Sequence, residues 1–352
     1  MCTFLDYTLN LQKIILMNIG INGFGRIGRL ALRNILARDE LNVVAVNDLF
    51  PSDYLAYLLK YDSSHGKLNA EIDHDKDHII INGEKIRVSC ERDPSKINWG
   101  EVNAEYIIES TGVFLNKALA IKHLEGGAKK VILSAPAKDN TPTFVMGVNH
   151  NDYKSDFNII SNASCTTNCL APVIEILDRT FGVESGVIST IHAVTATQKS
   201  IDSTNVKNWR LGRGAYQNII PSSTGAAIAV SKVLPSMAGK LMGMSFRVPT
   251  ANVSAVDLVV NLKTKTSYSD ICNIMLEESR SNRYKGILGY TNEDVVSTDF
   301  MSDHRTSIFD AKSGIEINPN FFKLVCWYDN EWGYANKIID LITYIGSIHS
   351  AK

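Results

Sequence analysis

Apolar and polar positions alternate in a regular way over the first half of the chain. Residues 18–22 form a short strand-like run, residues 26–38 have helical spacing, and residues 43–47 are an apolar run rich in β-branched side chains. Two further buried-strand patterns begin at Tyr106 and at Val131. Alternation of this kind predicts a parallel sheet with helices on both faces.

One segment of this half has a different pattern. Two apolar runs within residues 79–88 are separated by Asn82-Gly83, a pair that favours the tight turn of a β-hairpin. The sheet is therefore expected to contain an antiparallel insertion before its parallel order resumes.

The second half begins with a predicted helix at residues 165–180, which has Pro172 in its interior. Strands are predicted near residues 187–191, 245–248 and 255–262, and a final helix over residues 332–348. Residues 195–223 are rich in Gly, Ser, Asn and Arg and have no clear periodicity, which is typical of a functional or a disordered segment.

Composition narrows the class of protein. A chain of 352 residues predicts two domains, and 36 basic against 37 acidic residues argue against nucleic acid and anionic membrane surfaces as partners. No apolar run approaches the ~18 residues of a membrane helix. The six cysteines are scattered except for Cys165 and Cys169, which favours a reducing, cytoplasmic location.

The first 16 residues are set apart from the fold. They contain one basic residue and no small-residue cleavage signal, so they fit neither a secretory nor a transit peptide. We expect residues 1–16 to be an N-terminal extension, or Met17 to be the true start.

A dinucleotide-binding fingerprint lies at the first strand-to-helix junction. Gly23, Gly25 and Gly28 have the spacing that permits a tight turn, backbone approach to a pyrophosphate, and close packing of helix against strand. Asp48 follows the second apolar strand, where an acidic side chain accepts hydrogen bonds from ribose hydroxyls and repels a 2′-phosphate. The pattern predicts NAD as the cofactor.

A candidate nucleophile opens the second half. Cys165 lies among small polar residues in the first turn of the predicted helix, where free N–H groups stabilise a thiolate. Cys169 faces apolar neighbours and is interpreted as packing, and the two thiols lack the further ligands of a metal site. His192 ends a predicted strand, as a thiol-activating base can, although spacing alone does not single it out. The other histidines, His65 and His123 among them, lie in polar or loop-like stretches of sequence and are assigned no role.

From Met17 to its end the chain resembles the glyceraldehyde-3-phosphate dehydrogenase family. The stretches that carry the resemblance occur in the family's order: INGFGRIGR at 21–29, ERDP at 91–94, STGVF at 110–114, SAP at 134–136, SNASCTTN at 161–168, HAVTATQK at 192–199, NIIPSSTGAA at 218–227, FRVPT at 246–250 and WYDNEWGY at 327–334. The chain departs from the family at Ser203-Thr204, where Gly-Pro is frequent after the aspartate of the long loop, and at Leu211, where Gly is common.

The resemblance implies an α/β fold with two domains. A Rossmann-type NAD-binding domain would cover residues 17–164, with residues 331–352 returning to it as a helix. An α+β catalytic domain with a mixed sheet would cover residues 165–330. The family is usually a homotetramer, and residues 195–223 would then lie at a subunit interface.

The resemblance also implies roles for individual residues. Cys165 would attack glyceraldehyde 3-phosphate, His192 would act as the base, and inorganic phosphate would release the acyl group, which is a reaction of glycolysis. One anion site would contain Thr195, Thr197 and Arg247, and the other Ser164, Thr166, Thr224 and Gly225. Besides the three fingerprint glycines, the implied cofactor contacts are Arg26, Ile27, Asp48, Arg92, Ser134 and Asn330.

Two other functions stay open at this point. A relative acting on erythrose 4-phosphate by hydrolysis would differ around the second anion site, whereas Ser222 to Gly225 match the family. A non-catalytic binding protein on the same fold would have lost Cys165 or His192, and both are present.

Overall fold

The computed structural model describes residues 16–206 and 208–350. The expectation for residues 1–16 therefore lies outside the described part of the chain, apart from the exposed Leu16. Within the described part, the strands form two separate sheets.

The first sheet has eight strands, all from the first half of the described chain. They are β1 (Met17–Asn22), β2 (Leu41–Asn47), β3 (Ile72–His74), β4 (His78–Ile81), β5 (Glu84–Ser89), β6 (Tyr106–Glu109), β7 (Lys130–Leu133) and β8 (Ile159–Ser161). Their order is β3-β4-β5-β2-β1-β6-β7-β8, and every pair from β5 to β8 is parallel.

The antiparallel insertion is present at one edge of this sheet. Strands β3, β4 and β5 pair antiparallel, and the turn between β4 and β5 is Asn82-Gly83, with φ of 51° and 87°. Two positive φ values in succession are what a tight type I′ hairpin turn requires. The predicted hairpin is confirmed.

Helices cover the first sheet on both faces. They are α1 (Arg26–Ile35), α2 (Ser52–Lys60), α3 (Lys117–Ala120) and α4 (Lys122–Glu125). One apolar core contains side chains of α1 and α2 and another contains side chains of α3 and α4, with Trp99 fully buried in the second. The predicted doubly covered parallel sheet is confirmed, although α1 ends at Ile35 instead of extending to Arg38.

The second sheet has seven strands and is mixed. They are β9 (Val183–His192), β10 (Ile220–Ser223), β11 (Leu241–Arg247), β12 (Ser254–Leu262), β13 (Leu288–Thr291), β14 (Ser307–Asn318) and β15 (Phe321–Tyr328). Their order is β10-β11-β9-β12-β15-β14-β13, in which β11/β9 and β13/β14 are parallel and the other pairs antiparallel. The remaining helices are α5 (Cys165–Phe181), α6 (Ala226–Val233), α7 (Tyr268–Ser279) and α8 (Trp332–Ser350).

The chain passes between the two sheets twice. Residues 162–164 connect β8 of the first sheet to α5, which is buried against the second sheet. Residues 329–331 connect β15 of the second sheet to α8, which packs in the core of the first. Polar contacts fix α8 to the end of α1, because Arg38 bonds Asp340 at 2.5 Å and Asn336 bonds Asn34 at 2.8 Å.

Candidate active site

The candidate nucleophile lies at the first of these crossings. Cys165 is the first residue of α5, and the Oγ atom of Ser164 caps the helix by accepting the N–H of Thr167 at 3.1 Å. Two residues earlier, Ala163 is buried with a φ of 56°, a left-handed conformation that is strained for alanine. The hydroxyl of Tyr334 donates to the Ala163 carbonyl at 2.9 Å and so holds this turn in place.

His192 is the last residue of β9 and faces the thiol. Its Nε2 atom lies 3.5 Å from Sγ of Cys165, and its Nδ1 atom lies 2.7 Å from the Ala193 carbonyl oxygen. Strand register brings Arg247 of β11 beside His192. The structure brings together the thiol that the sequence pattern indicated and the imidazole that the resemblance implied.

Burial controls the protonation of both groups. It raises the pKa of the Cys165 thiol, and the positive charge of Arg247 opposes that rise. Burial, followed by the same Arg247 charge, lowers the pKa of His192 to about 4. Burial therefore favours the neutral pair of thiol and imidazole, whereas the charge of Arg247 favours the thiolate.

Two cavities meet at this pair. One, of about 230 Å³, is lined by Ser164, Thr166, Thr224 and Gly225. The other, of about 420 Å³, is lined by Thr195 and Thr197. Both cavities are also lined by Cys165, His192 and Arg247. We name them the 224 cavity and the 195 cavity, and each contains the residues of one of the two anion sites that the resemblance implied.

A chain of three hydroxyls lies behind the 224 cavity. The buried hydroxyl of Tyr328 is 2.9 Å from that of Thr166 and 2.9 Å from that of Thr190. The three hydroxyls have three protons but form only two hydrogen bonds. If Thr190 donates to Tyr328 and Tyr328 donates to Thr166, the hydroxyl proton of Thr166 remains available to a ligand. Nothing in the sequence pattern pointed to Tyr328, although it lies in the quoted WYDNEWGY stretch.

A third cavity, of about 430 Å³, borders the glycine fingerprint and is lined by Gly23, Gly25, Asp48 and Arg92. Gly23 has a φ of 89°, and the N-terminus of α1 at Gly25 has no side-chain cap. Its N–H groups therefore remain available to an anion such as a pyrophosphate. A cavity with this donor set fits a dinucleotide.

Asp48 has a second use that the sequence did not indicate. Its two carboxylate oxygens accept the N–H groups of Phe24, at 2.6 Å, and Leu49, at 2.7 Å. The side chain therefore holds the fingerprint loop in place, and its remaining lone pairs can still accept ribose hydroxyls. Gly28 lines none of these three cavities; a Cβ there would overlap the carbonyl oxygen of Gly23, so this glycine acts by packing.

The other implied cofactor residues line the 195 cavity: Arg26, Ile27, Ser134 and Asn330. The Oδ1 atom of Asn330 accepts a hydrogen bond from the Ser254 hydroxyl at 2.7 Å. The N–H₂ group of Asn330 can therefore donate to a ligand. The guanidinium of Arg26 forms ion pairs with Asp62 and Glu331. Arg26 therefore ties the start of α1 to the segment before α8 as well as lining the cavity.

His123 and His65, which were assigned no role, both have buried side chains. His123 is fully buried, with Nδ1 3.0 Å from the indole nitrogen of Trp99 and Nε2 3.0 Å from the buried carboxylate of Glu109. The side chain of His65 is 2% exposed and lies 3.4 Å from Glu331. Both residues occur in polar stretches of sequence, and their burial arises from distant parts of the chain.

Among residues 16–206 and 208–350, no group of three or more His, Cys, Asp or Glu side chains could hold a metal ion. None of the helices there has the length and apolar character needed to cross a membrane.

Comparison with known proteins gives matches over most of the chain. Residues 17–117 match the glyceraldehyde 3-phosphate dehydrogenase NAD binding domain, and residues 164–330 match the C-terminal domain of the same family. The glyceraldehyde-3-phosphate dehydrogenase of Ogataea parapolymorpha is 56% identical over 332 residues, which cover 94% of this chain and 98% of the relative. Glyceraldehyde-3-phosphate dehydrogenase A of Escherichia coli is 54% identical over 329 residues, which cover 94% of this chain and 99% of the relative.

Proposed function

Since the chain belongs to the glyceraldehyde-3-phosphate dehydrogenase family, we propose that Cys165 and His192 carry out its NAD-dependent, phosphorylating oxidation of D-glyceraldehyde 3-phosphate to 1,3-bisphosphoglycerate. The observation that supports this assignment best is the 3.5 Å contact between Sγ and Nε2 at the junction of two cavities. A nucleophile between two anion cavities is what a reaction with two phosphate-bearing reactants needs.

The first step is capture of the aldehyde. The imidazole of His192 accepts the thiol proton as the sulfur of Cys165 bonds to the aldehyde carbon. The same proton then passes to the aldehyde oxygen, which becomes the hydroxyl of a thiohemiacetal. The free N–H groups at the start of α5 and the charge of Arg247 favour the thiolate that attacks.

The second step is oxidation. NAD bound along the fingerprint supplies the hydride acceptor for this step. His192 removes the hydroxyl proton as the carbon loses its hydride, so the carbon becomes the carbonyl of a thioester on Cys165. The lowered pKa of His192 keeps its imidazole neutral near pH 7, so that it can accept this proton.

The third step is phosphorolysis. We assign inorganic phosphate to the 224 cavity, where Thr166 and Thr224 offer hydroxyls, and the substrate phosphate to the 195 cavity, where Thr195 and Thr197 do so. A phosphate oxygen bonds to the thioester carbon, the carbon–sulfur bond breaks, and the thiolate of Cys165 is restored. Arg247 lines both cavities and can neutralise either anion.

The test is NAD reduction with glyceraldehyde 3-phosphate, with and without inorganic phosphate, for the native protein and for Cys165→Ser. Steady turnover that needs both phosphate and Cys165 is expected. Steady turnover without phosphate would mean a hydrolytic enzyme. No reduction by a folded protein that still binds NAD would mean a binding protein on the same fold.

We also propose that the chain assembles as a homotetramer. The outer face of the second sheet carries Val187 and Met242, which are 56% and 74% exposed. The long segment carries Val206, Trp209 and Ile219, each more than two-thirds exposed. The exposed apolar groups on this sheet face and this loop support contact with other copies of the chain. Light scattering behind size-exclusion chromatography would measure the mass.

A cytoplasmic location is the third part of the proposal. Cys90, Cys165, Cys169, Cys272 and Cys326 are all free thiols. A catalytic thiol is kept reduced in the cytosol, whereas an oxidising compartment would favour its loss. Fractionation of cells that produce the protein would test this expectation.

A further inference from the structure

One buried hydroxyl of the 224 cavity has no use in the fold. Ser245 lies on β11 and is 2% exposed, and its Oγ atom has no hydrogen-bond partner among the described residues. It lines the 224 cavity together with Thr224 and Arg247. The Nε atom of Arg247 is also buried without a partner. Ser245 and Arg247 thus each bring an unpaired buried polar atom to the lining of one cavity, and such atoms destabilise a fold.

Strand register explains how Ser245 comes to face the cavity. Ser245 pairs with Thr190 of β9, and Arg247 pairs with His192, so these four side chains share one face of the sheet. The hydroxyl of Thr190 is already bonded to Tyr328, whereas that of Ser245 is not. Thr224 lies above the same strand, since its Cγ2 atom would be 3.6 Å from a Cβ at Gly243.

We propose that the Ser245 hydroxyl is a ligand of the attacking inorganic phosphate, to which it donates a hydrogen bond in the 224 cavity. This inference rests on the proposed function, because it assigns a further group to the phosphorolysis step. A tetrahedral anion offers acceptors on all sides, and it would satisfy Ser245 Oγ, Thr166 Oγ1 and Arg247 Nε together.

The position of Ser245 separates the attacking phosphate from the substrate phosphate. Ser245 lines the 224 cavity and does not line the 195 cavity, whereas Arg247 lines both. Loss of the hydroxyl should therefore weaken the binding of inorganic phosphate and leave the binding of glyceraldehyde 3-phosphate almost unchanged. A residue that only supported the fold would have no such preference.

The experiment compares the native protein with Ser245→Ala. The KM for inorganic phosphate is expected to rise about tenfold or more, because a hydrogen bond to a charged group is lost. The KM values for NAD and glyceraldehyde 3-phosphate are expected to stay within about twofold. In a second readout, about tenfold more phosphate should be needed to protect Cys165 from iodoacetamide. The variant should fold, because it removes an unpaired buried hydroxyl and creates no new one.

Thr306→Val is the matched control. The hydroxyl of Thr306 is likewise buried and unpaired, but Thr306 lines neither cavity. Its removal should leave the KM for phosphate unchanged. An unchanged KM for phosphate in Ser245→Ala, with a native protein that requires phosphate, would overturn the proposal while the proposed function stands. A native protein that turns over without phosphate would overturn both.

Discussion

The Nη1 atom of Arg247 lies 2.5 Å from Nδ1 of His192, on the side of the ring opposite the thiol. The same guanidinium nitrogen is 3.2 Å from the carbonyl oxygen of Ala193. One side chain therefore contacts the catalytic base and lines both anion cavities. Binding of either anion changes the charge next to the base.

Replacement of Arg247 by Met should raise the pKa of both Cys165 and His192, since the guanidinium charge now lowers each of them. The pH midpoint for alkylation of Cys165 by iodoacetamide should move to higher pH. The KM values for phosphate and glyceraldehyde 3-phosphate should both increase about tenfold or more. Arg213→Met, in an exposed ion pair, is the control, and an unchanged midpoint in Arg247→Met would contradict the prediction.

Two glycines of the fingerprint should respond differently to alanine. At Gly28 a Cβ would overlap the Gly23 carbonyl, so Gly28→Ala should lower the melting temperature, with a cost of about 1–3 kcal/mol. At Gly25 no atom lies within 4 Å of a Cβ, so Gly25→Ala should keep its melting temperature. Gly25→Ala should still weaken the binding of NAD, measured by calorimetric titration, because the added methyl group occupies the space where the backbone approaches the pyrophosphate. Equal melting temperatures for the two variants would refute the packing role of Gly28.

The buried contact between His123 and Glu109 should matter for the cofactor. Glu109 also accepts hydrogen bonds from Asn22 and Thr111, which line the fingerprint cavity. His123→Phe removes one donor from a buried carboxylate, so it should destabilise the protein by about 2 kcal/mol and raise the Kd for NAD. Trp99→Phe removes the indole donor and part of a buried ring but keeps the contact between His123 and Glu109, so it should leave that Kd near the native value. Equal Kd values in the native protein and His123→Phe would show that the network serves stability alone.

Acid should weaken the ion pair between Arg26 and Asp62. Burial raises the pKa of Asp62, but hydrogen bonds from Arg26 and from backbone N–H groups outweigh this effect and lower the pKa from the ordinary 3.8 to about 2. The stabilisation is present above about pH 4 and is lost as pH falls through about 2. Asp62→Asn should cost about 2 kcal/mol at neutral pH and flatten the dependence of the melting temperature between these values. An equally steep acid transition in the variant would exclude Asp62 as its source.

Local patterns were sufficient for the elements that carry the site. Cys165 follows a cap residue and opens an apolar helix, and Asn82-Gly83 fixes a hairpin turn, so each depends on neighbours within a few residues. The strand end at His192 was also correct, but only the resemblance selected this histidine from eight.

Contacts between distant segments could not be inferred in this way. Arg247 and His192 are 55 positions apart, and Arg26 and Glu331 are 305 apart. Such pairs depend on strand register and on the return of α8, which a linear pattern does not encode. For the same reason the burial of His123 and the unpaired hydroxyl of Ser245 became visible only in three dimensions.

The two crossings of the chain between the sheets have a mechanical consequence. One crossing leads directly to Cys165, and the other contains Asn330 and Glu331. If one sheet rotates relative to the other, the crossing segments act as the pivot, and atoms on a pivot travel least. The sulfur and the amide of Asn330 would then stay nearly fixed while the rims of the cavities swing, so the mouth could open and close without misaligning the reacting groups.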